Sequence, residues 1–440
     1  MKINEKSDLA EWVARKAINK GADQVSLSVS KDRSVNVSYR DNKIEKLEES
    51  TQNNISLSIY ANHRYSSHST CDFRKDSLEK FIEQAVEGTK YLTEDHYREL
   101  PDPKYYPDKT DLDLEIFDDF HEKIETPLRV KIAAAIEESA KSVSDKIISV
   151  TSNYYDNIYD VVLFQSNGFS GSYKGTIFSA GADVTVLDNE GGRPEDWNYA
   201  TTRFFKELPS NELVGKDAAR RALQKIGQKK IKSGKYSMFV ENRAAGRLLG
   251  VFYGAMSARS IQQKASFLDG MLDKKIASEK LTVIDDPFVK KGLNSRLFDY
   301  EGLAAKKRIL IEKGILKQYF VDNYYGRKTG MVPNSGSTSN ILFEYGSRSL
   351  KEMIKNVKQG IIVNGFLGGN SNSTTGDFSF GVVGLLVENG EIVKPVNEMN
   401  ISGNAKDFWD KLSEIGNDPY IYSSQKCPSM AFEEVNFSGL

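Results

Sequence analysis

The stretch YSMFVENRAAGRLLGVFYGAMSAR, Tyr236 to Arg259, decides how the second half of the chain folds. Its first residues form a short apolar run that predicts a strand. The remainder predicts a helix buried along one face, because its apolar residues recur at three- and four-residue spacing. Asn242, Arg243 and Arg247 follow directly after the strand, where many folds present metal ligands or anion-binding groups. The apolar positions of the predicted helix are Ala245, Leu248, Leu249, Phe252 and Met256.

The length and composition of the chain predict a soluble protein of two domains. A chain of 440 residues exceeds one ordinary hydrophobic core. Hydrophobic residues make up 39% and charged residues 28%, which is typical of globular proteins. Sixty basic residues against sixty-one acidic residues leave no net field to attract nucleic acid or an anionic membrane. We therefore expect no direct nucleic-acid binding and no membrane association.

The chain also lacks the marks of export. Its first residues carry charges where a signal peptide needs an apolar run, and no window approaches the roughly 18 apolar residues of a membrane span. Cys71 and Cys427 lie far apart and do not suggest a disulfide framework. These features predict a cytoplasmic protein.

The hydrophobic pattern predicts an α+β fold in two domains. Residues 1–229 predict an antiparallel sheet with packed helices, because alternating strand patterns are interleaved with amphipathic segments. The lysine-rich segment QKKIKSGK, Gln228 to Lys235, is interpreted as a linker, which places the boundary near residue 230. Residues 230–440 predict a β-rich domain that includes the helix at about 242–259. Helices are expected to begin near Ser7, Ser77, Pro127 and Asn211, and Asp41-Asn42 and Asn167-Gly168 predict turns.

The residue types of the second half argue against the common hydrolytic sites. A zinc site there would need carboxylates and Cys427 alone, whereas zinc prefers histidine and cysteine. A Ser-His-Asp or Cys-His pair could form only between the two domains, and no G-x-S-x-G motif is present. Cys427 is instead interpreted as a buried small hydrophobic residue. The four histidines all precede the predicted linker: His63, His68, His96 and His121.

A glycine-rich segment, Gly365 to Gly381, has the sequence GFLGGNSNSTTGDFSFG and lacks the P-loop pattern. Since strands bound its glycines, it suits either a tight loop or a backbone that an extended peptide can approach closely. Asp377 within it is either a turn-stabilising residue or a substrate contact. Both alternatives remain open at this point.

The glycine-rich segment continues into a longer pattern, at residues 365–404, that resembles the signature of the TldD/PmbA family. The members of this family are also called modulators of DNA gyrase or U62 peptidases. The order of the predicted domains agrees with the family over essentially the whole chain. The resemblance rests on Gly368-Gly369, Thr375-Gly376-Asp377-Phe378-Ser379, Val387-Glu388-Asn389-Gly390 and Asn400-Ile401-Ser402-Gly403-Asn404.

The resemblance implies two kinds of subunit, and this chain is similar to the PmbA/TldE kind. A TldD-type subunit carries a zinc-binding H-E-x-x-x-H on the helix and a cysteine ligand near the C-terminus. This sequence has Asn242-Arg243-Ala244-Ala245-Gly246-Arg247 at the matching place. Cys427 lies beyond the turn at Glu414 to Asn417, which corresponds to the family's cysteine, so the ligand role is not transferred to it. The resemblance therefore implies no metal and no catalytic residue in this chain, with zinc in a TldD-type partner.

The function implied by the resemblance is that of a non-catalytic subunit in a cytosolic zinc metalloprotease acting on unfolded or small peptides. Such a subunit would form a heterodimer with the TldD-type subunit, close the chamber and help hold an extended peptide. One alternative is a stand-alone homodimer that binds peptides or modulates gyrase without hydrolysis. Another is metal binding through unusual ligands. The candidate substrate-binding residues are Asn242, Arg247, Asp377, Phe378 and Ser379.

Overall fold

The computed structural model describes residues 2–440 and confirms the predicted α+β fold class. None of its helices combines the length and the apolar character needed to cross a membrane. The helices are α1 (Ile3–Asn19), α2 (Lys75–Thr89), α3 (Thr126–Lys141), α4 (Asn211–Leu223), α5 (Asn242–Ala255), α6 (Ala258–Gln262), α7 (Asn323–Thr329), α8 (Leu350–Ile354) and α9 (Ala405–Trp409). Short 3₁₀ turns occupy Pro103–Tyr105, Asp119–Lys123 and Phe205–Glu207.

The strands form three sheets. In the N-terminal half they are β1 (Gln24–Arg40), β2 (Lys43–Ala61), β3 (Arg64–Thr70), β4 (Ile147–Gln165), β5 (Phe169–Val186) and β6 (Glu195–Thr202). In the C-terminal half they are β7 (Gly234–Val240), β8 (Val283–Asp286), β9 (Arg308–Glu312), β10 (Ile315–Leu316), β11 (Asn340–Phe343), β12 (Gln359–Ser371), β13 (Asp377–Glu388), β14 (Glu391–Asn404), β15 (Leu412–Ile415) and β16 (Met430–Ser438).

The N-terminal sheet has the order β3-β2-β1-β4-β5-β6, and its neighbouring strands are all antiparallel. Its apolar residues alternate in β1, so that Val25, Leu27 and Val29 face a core shared with α1 and α2. A second core lies under α3 and α4. The predicted Asp41-Asn42 turn is confirmed, since both residues have positive φ, 52° and 58°, as a two-residue hairpin requires.

Two boundaries in this half differ from the sequence prediction. The predicted short strands merge into the long β1 and β2, because backbone pairing of β1 with β2 and β4 continues through Lys31–Ser34, where the alternation of buried residues is interrupted. The first helix begins at Ile3 rather than after Ser7, because the Glu5 carboxylate accepts the Lys2 backbone N–H at 2.8 Å. Ser7 lies inside the helix and donates its hydroxyl to the Ile3 carbonyl at 3.1 Å.

The C-terminal half contains a six-stranded sheet of order β14-β13-β12-β7-β16-β15 and a four-stranded sheet of order β10-β9-β8-β11. Strands β7 and β12 run parallel, and α5 follows β7 directly. The apolar face predicted for the helix at about 242–259 is confirmed, since all five residues are almost completely buried in the core of this half. The helix itself ends at Ala255, so Met256 follows it. Phe252 packs against Trp409 with the ring centroids 5.3 Å apart. The buried face therefore fixes which side of α5 its polar residues can occupy.

Hydrogen bonds join the two halves at several places, one of them near the start of α5. Gln165 Nε2 donates to the Glu301 carbonyl at 2.5 Å, and Asn323 Nδ2 donates to the Glu99 carbonyl at 2.7 Å. Near α5, Tyr420 donates its hydroxyl to the Tyr199 carbonyl of β6 at 2.5 Å. The beginning of α5 thus lies beside β6 and α4 of the other half.

Candidate functional site

The start of α5 is held by an ion pair between the two halves. Glu241, the residue that precedes the helix, accepts Arg221 Nη1 at 2.7 Å and Arg221 Nη2 at 2.8 Å through its two carboxylate oxygens. Its backbone N–H donates to the Val363 carbonyl of β12 at 2.9 Å. A bidentate arginine–carboxylate pair restricts orientation as well as distance. The first turn of α5 is therefore fixed against both α4 and β12.

Asn242 is engaged by the C-terminal part of the chain. Its side-chain Nδ2 donates to the Asp418 carbonyl at 2.7 Å, and its backbone N–H donates to Ser429 Oγ at 3.2 Å. Ser429 is buried and in turn donates its hydroxyl to the Asp418 carboxylate at 2.8 Å. The amide of Asn242 thus fixes the segment around Asp418 to the helix.

Arg243 and Arg247 line a cavity of about 480 Å³ between α5 and β12. Arg243 stacks on Trp197, 4.3 Å from the ring centroid, and donates from Nη2 to the Trp197 carbonyl at 3.1 Å. Arg247 lies 5.1 Å from the centroid of the Phe380 ring and donates from Nη2 to the Gly369 carbonyl at 3.0 Å. Aromatic stacking of this kind orients a guanidinium group without neutralising its charge.

The cavity carries an excess of positive charge. Arg221 and Lys225 also line it, and both pair with Asp196 at 3.7 and 3.1 Å, while Arg221 pairs with Glu241 as well. Within residues 2–440, neither Arg243 nor Arg247 forms an ion pair. Burial and the nearby Arg221 charge lower the pKa of Arg243. Its buried Nε atom also has no acceptor.

The β12 side of the cavity is a strand edge without a neighbouring strand, here called the free edge, on which the Gly369 carbonyl accepts Arg247. Residues Gly360–Val363 of β12 pair with β7 on one side and with β13 on the other. Beyond Val363 the chain from Asn364 to Ser371 pairs with β13 alone, because β7 has ended and α5 begins. Unpaired backbone groups on a strand edge form hydrogen bonds with an added extended peptide. The cavity thus combines a free edge with two guanidinium groups.

The glycine-rich signature lies along α5. Gly369 has φ of 83°, and a Cβ there would approach the Ser379 carbonyl to 2.1 Å, so the bulge at this point requires glycine. Farther along, Ser373 accepts the Phe267 backbone N–H at 2.9 Å and lies beside Gly254 of α5. Tertiary packing therefore places the segment from Gly365 to Gly376 against the polar side of this helix.

The candidate residues from the sequence occupy different environments. Arg247 lines the cavity. Asn242 lies at the start of α5, but its side-chain amide already donates to the Asp418 carbonyl. Phe378 is 6% exposed and packs on Phe408, with the ring centroids 5.0 Å apart. Asp377 is exposed and accepts Asn404 Nδ2 at 3.0 Å, while Ser379 donates to Asn400 Oδ1 at 3.2 Å. These last two contacts join β13 to β14.

The donor atoms around α5 do not fit zinc. Zinc binds thiolate, imidazole and carboxylate groups, whereas the helix offers one amide and two guanidinium groups. Cys427 is nearby, since a Cβ on Gly246 would lie 3.7 Å from its Sγ atom. Burial raises the pKa of Cys427 to about 12, which disfavours the thiolate that binds metals. Within residues 2–440, no group of three or more His, Cys, Asp or Glu side chains is placed to hold a metal ion.

Sequence reasoning did not identify the residues of the other half that contact the start of α5. Trp197, on which Arg243 stacks, and Arg221, which pairs with Glu241, are linked to α5 by no sequence spacing. One signal was present, because Arg243 and Arg247 are four residues apart and so lie on the same side of a helix. The position of Cys427 beside α5 was also not predicted.

A second cavity, of about 460 Å³, lies between the two halves. Arg203 in its wall is 3% exposed and donates to the Gly292 carbonyl at 3.2 Å, to the Thr176 carbonyl at 3.1 Å and to the Tyr159 hydroxyl at 2.5 Å. The donors of this arginine are thus largely satisfied within the chain. Arg296 in the same wall, however, has a buried Nε atom without an acceptor among the described residues. The cavity at α5 is the better candidate site because the predicted residue Arg247 lines it and an edge of β12 without a neighbouring strand borders it.

Comparison with known proteins connects these features to a family. Profiles described as PmbA/TldA metallopeptidase domain 1, central domain and C-terminal domain match residues 25–88, 118–226 and 233–439. The chain is 30% identical to metalloprotease PmbA of Escherichia coli O157:H7 over 95% of this chain and 93% of that protein.

Solved structures of other proteins are also similar to this chain. A protein described as a modulator of DNA gyrase from Bacteroides thetaiotaomicron is 37% identical, covers all of both chains and superposes with a TM-score of 0.97. TldE of Thermococcus kodakarensis is 20% identical over 98% of this chain and 100% of that chain, with a TM-score of 0.88. This last likeness concerns the fold alone.

Proposed function

The chain belongs to the PmbA/TldD family of metallopeptidases, and on that basis we propose that it acts as the non-catalytic PmbA/TldE-type subunit of a peptidase. In this role a TldD-type partner carries the zinc and the hydrolytic chemistry. The observation that carries the proposal is the donor set at α5, where Asn242, Arg243 and Arg247 replace groups that could bind zinc. No catalytic step is therefore assigned to residues of this chain.

The proposed contribution of this subunit is to hold an extended peptide and to close the chamber over the partner's metal. The free edge of β12 from Asn364 to Ser371 supports peptide holding, because backbone hydrogen bonds bind peptides with little regard to sequence. Glycines at 365, 368 and 369 allow another backbone to approach this edge closely. Asn242 has a supporting role here, since it fixes the segment around Asp418 against the helix.

The experiment combines metal analysis with peptide cleavage. We expect the purified chain to contain far less than one zinc per molecule and to leave an unfolded peptide intact. Adding a TldD-type partner is expected to give cleavage that a chelator abolishes, and the two chains are expected to co-elute in size-exclusion chromatography. Stoichiometric zinc with cleavage by the isolated chain would overturn the proposal.

The same preparation tests the stand-alone alternative. A homodimer that binds peptides without hydrolysis would elute unchanged when the TldD-type chain is added, and the mixture would cleave no faster than that chain alone. Either result would contradict the partner-subunit role.

A further inference from the structure

The cavity at α5 contains two arginines that form no ion pair within residues 2–440. Arg243 and Arg247 are separated by four residues on one helix, a spacing at which like charges destabilise the helix by a few tenths of a kcal/mol. Arg243 also lies in the first turn of α5, where the helix dipole adds a positive partial charge. Elsewhere at this cavity the chain pairs its cations, as Glu241 and Asp196 do for Arg221.

Both arginines keep unused hydrogen-bond donors at this cavity. Each guanidinium group has five N–H bonds, and within residues 2–440 each of these two arginines donates a single hydrogen bond, to a backbone carbonyl. Arg243 Nε is buried without an acceptor. Asn364 lines the same cavity, and its buried Oδ1 has no donor, so rotation of the amide would present an N–H₂ group to a bound oxygen.

These donors match one chemical group. A carboxylate has two oxygens that accept the parallel N–H bonds of a guanidinium fork. We infer that the cavity binds the carboxylate of an extended peptide, with Arg243 and Arg247 as the anion-binding residues and the free edge of β12 as the backbone partner. The inference rests on the proposed peptide-holding function and adds the charged group that the subunit recognises.

Two sources can supply this carboxylate, namely the C-terminus of a peptide and an aspartate or glutamate side chain. The free β12 edge favours a peptide over a nucleic acid, because backbone N–H and C=O groups pair with a peptide strand. The contribution of the two arginines is distinct from that of the edge. Replacing the two arginines is expected to weaken the binding of acidic ligands and to leave the binding of uncharged peptides unchanged.

The experiment measures binding to the isolated full chain by calorimetry, without partner or metal. The probes are three N-acetylated hexapeptides of Ala, Val and Thr: one with a free C-terminus, one amidated, and one amidated with a central Glu. We expect the free acid to bind at least 10-fold more tightly than the neutral amide. Binding restored by the central Glu would identify a side chain as an accepted source of the carboxylate, and binding that stays weak would identify the C-terminus.

The variants R243Q and R247Q separate anion binding from a structural role. Each variant is expected to bind the free-acid peptide about 10-fold more weakly than the wild type, with an unchanged thermal unfolding midpoint. Arg259 on α6 is exposed and lies outside the cavity, so R259Q is the matched control and is expected to bind like the wild type. R247K, which keeps the charge but loses the fork, is expected to recover part of the affinity.

Equal affinity for the free acid and the neutral amide would overturn the inference. So would wild-type binding in both R243Q and R247Q, or tighter binding of a single-stranded hexanucleotide than of the free-acid peptide. Because the measurement needs neither zinc nor a partner, its failure is distinguishable from failure of the partner-subunit role, which the cleavage assay tests.

Discussion

Two groups of arginines in this chain are in opposite electrostatic situations. In the N-terminal half, Arg129 is 2% exposed and donates to both oxygens of the Asp156 carboxylate, at 2.5 and 3.2 Å, while His121 Nε2 lies 2.9 Å from the same carboxylate. At α5, Arg243 and Arg247 contact aromatic rings and backbone carbonyls but pair with no carboxylate in the described residues.

The difference indicates what each group is for. Burial alone would raise the pKa of Asp156, but the hydrogen bonds from His121 and Arg129 outweigh it and lower that pKa, so the charged form is the stable one inside the fold. This network is complete without a ligand and belongs to the folded core. The pair at α5 has no carboxylate partner within the described residues, and this difference supports the proposed anion binding there.

Removing the carboxylate of the complete network should have the largest effect. Asp156→Asn leaves Arg129 buried without a counter-ion, and breaking a buried pair in this way costs about 3–5 kcal/mol. We expect a matching fall in the free energy of unfolding, measured by urea denaturation. Asp119→Asn, on a nearby exposed aspartate, is the control and should change it by less than about 0.5 kcal/mol. Equal midpoints for the two variants would show that the buried network is dispensable.

An intermediate effect is expected at the ion pair that joins the halves. Glu241→Gln removes the charge that accepts two hydrogen bonds from Arg221, and hydrogen bonds to charged groups contribute about 1.5–3 kcal/mol. Asp196 keeps a partial counter-charge in place. The control is Glu212→Gln, which breaks an exposed pair with Lys216 and should cost about 0.5 kcal/mol or less. A Glu241→Gln cost as small as that of the control would contradict the proposed anchoring of α5.

Glu301, a half-buried carboxylate that forms no ion pair within residues 2–440, offers the opposite test. Burial raises the pKa of Glu301 to about 8, and Asp299 and Asp322 add to the shift. The folded state therefore keeps a proton that the unfolded state releases above its ordinary pKa of 4.5. Stability is expected to fall as the pH rises from about 5 to about 8.

The matching measurement is the thermal midpoint across that pH range. Glu301→Gln should flatten the fall, whereas Glu312→Gln, at an exposed position of β9, should leave the slope as in the wild type. An unchanged slope in Glu301→Gln would mean that this carboxylate is ionised throughout the range.

The smallest effect on stability is expected at α5 itself. Arg247→Gln removes a like-charge neighbour of Arg243 and should change the free energy of unfolding by no more than about 0.5 kcal/mol. Since salt screens this repulsion, added salt should stabilise the wild type slightly more than the variant. A loss of 2 kcal/mol or more would place Arg247 with the structural arginines and remove the contrast between the two groups.

Much of the fold could be predicted from the sequence where local patterns agree with packing. Three features depend only on neighbours within a few residues, so the sequence alone indicates them. They are the apolar spacing of α5, the Asp41-Asn42 turn and the alternation at the start of β1. The length of β1 and the start of α1 were less predictable. Polar residues in β1 and the Lys2–Glu5 contact carry no strong periodic signal.

The site was predictable in part. The sequence alone shows Asn242, Arg243 and Arg247 where zinc ligands could stand, because the donor atoms of a side chain follow from its residue type. The stacking of Arg243 on Trp197 and the end of β7 that frees the β12 edge depend on residues that are distant along the chain. No pattern within α5 could indicate them.

The sequence by itself determined the α+β class, the buried face of α5 and the residue types at its start, Asn242, Arg243 and Arg247. These follow from periodicity and from the chemistry of single residues. Tertiary structure alone decided that Arg129 is neutralised and Arg243 is not, because charge pairing depends on which side chains the fold brings within about 4 Å. It also decided that the glycine-rich signature lies against α5, where a free strand edge and two unpaired guanidinium groups share one cavity.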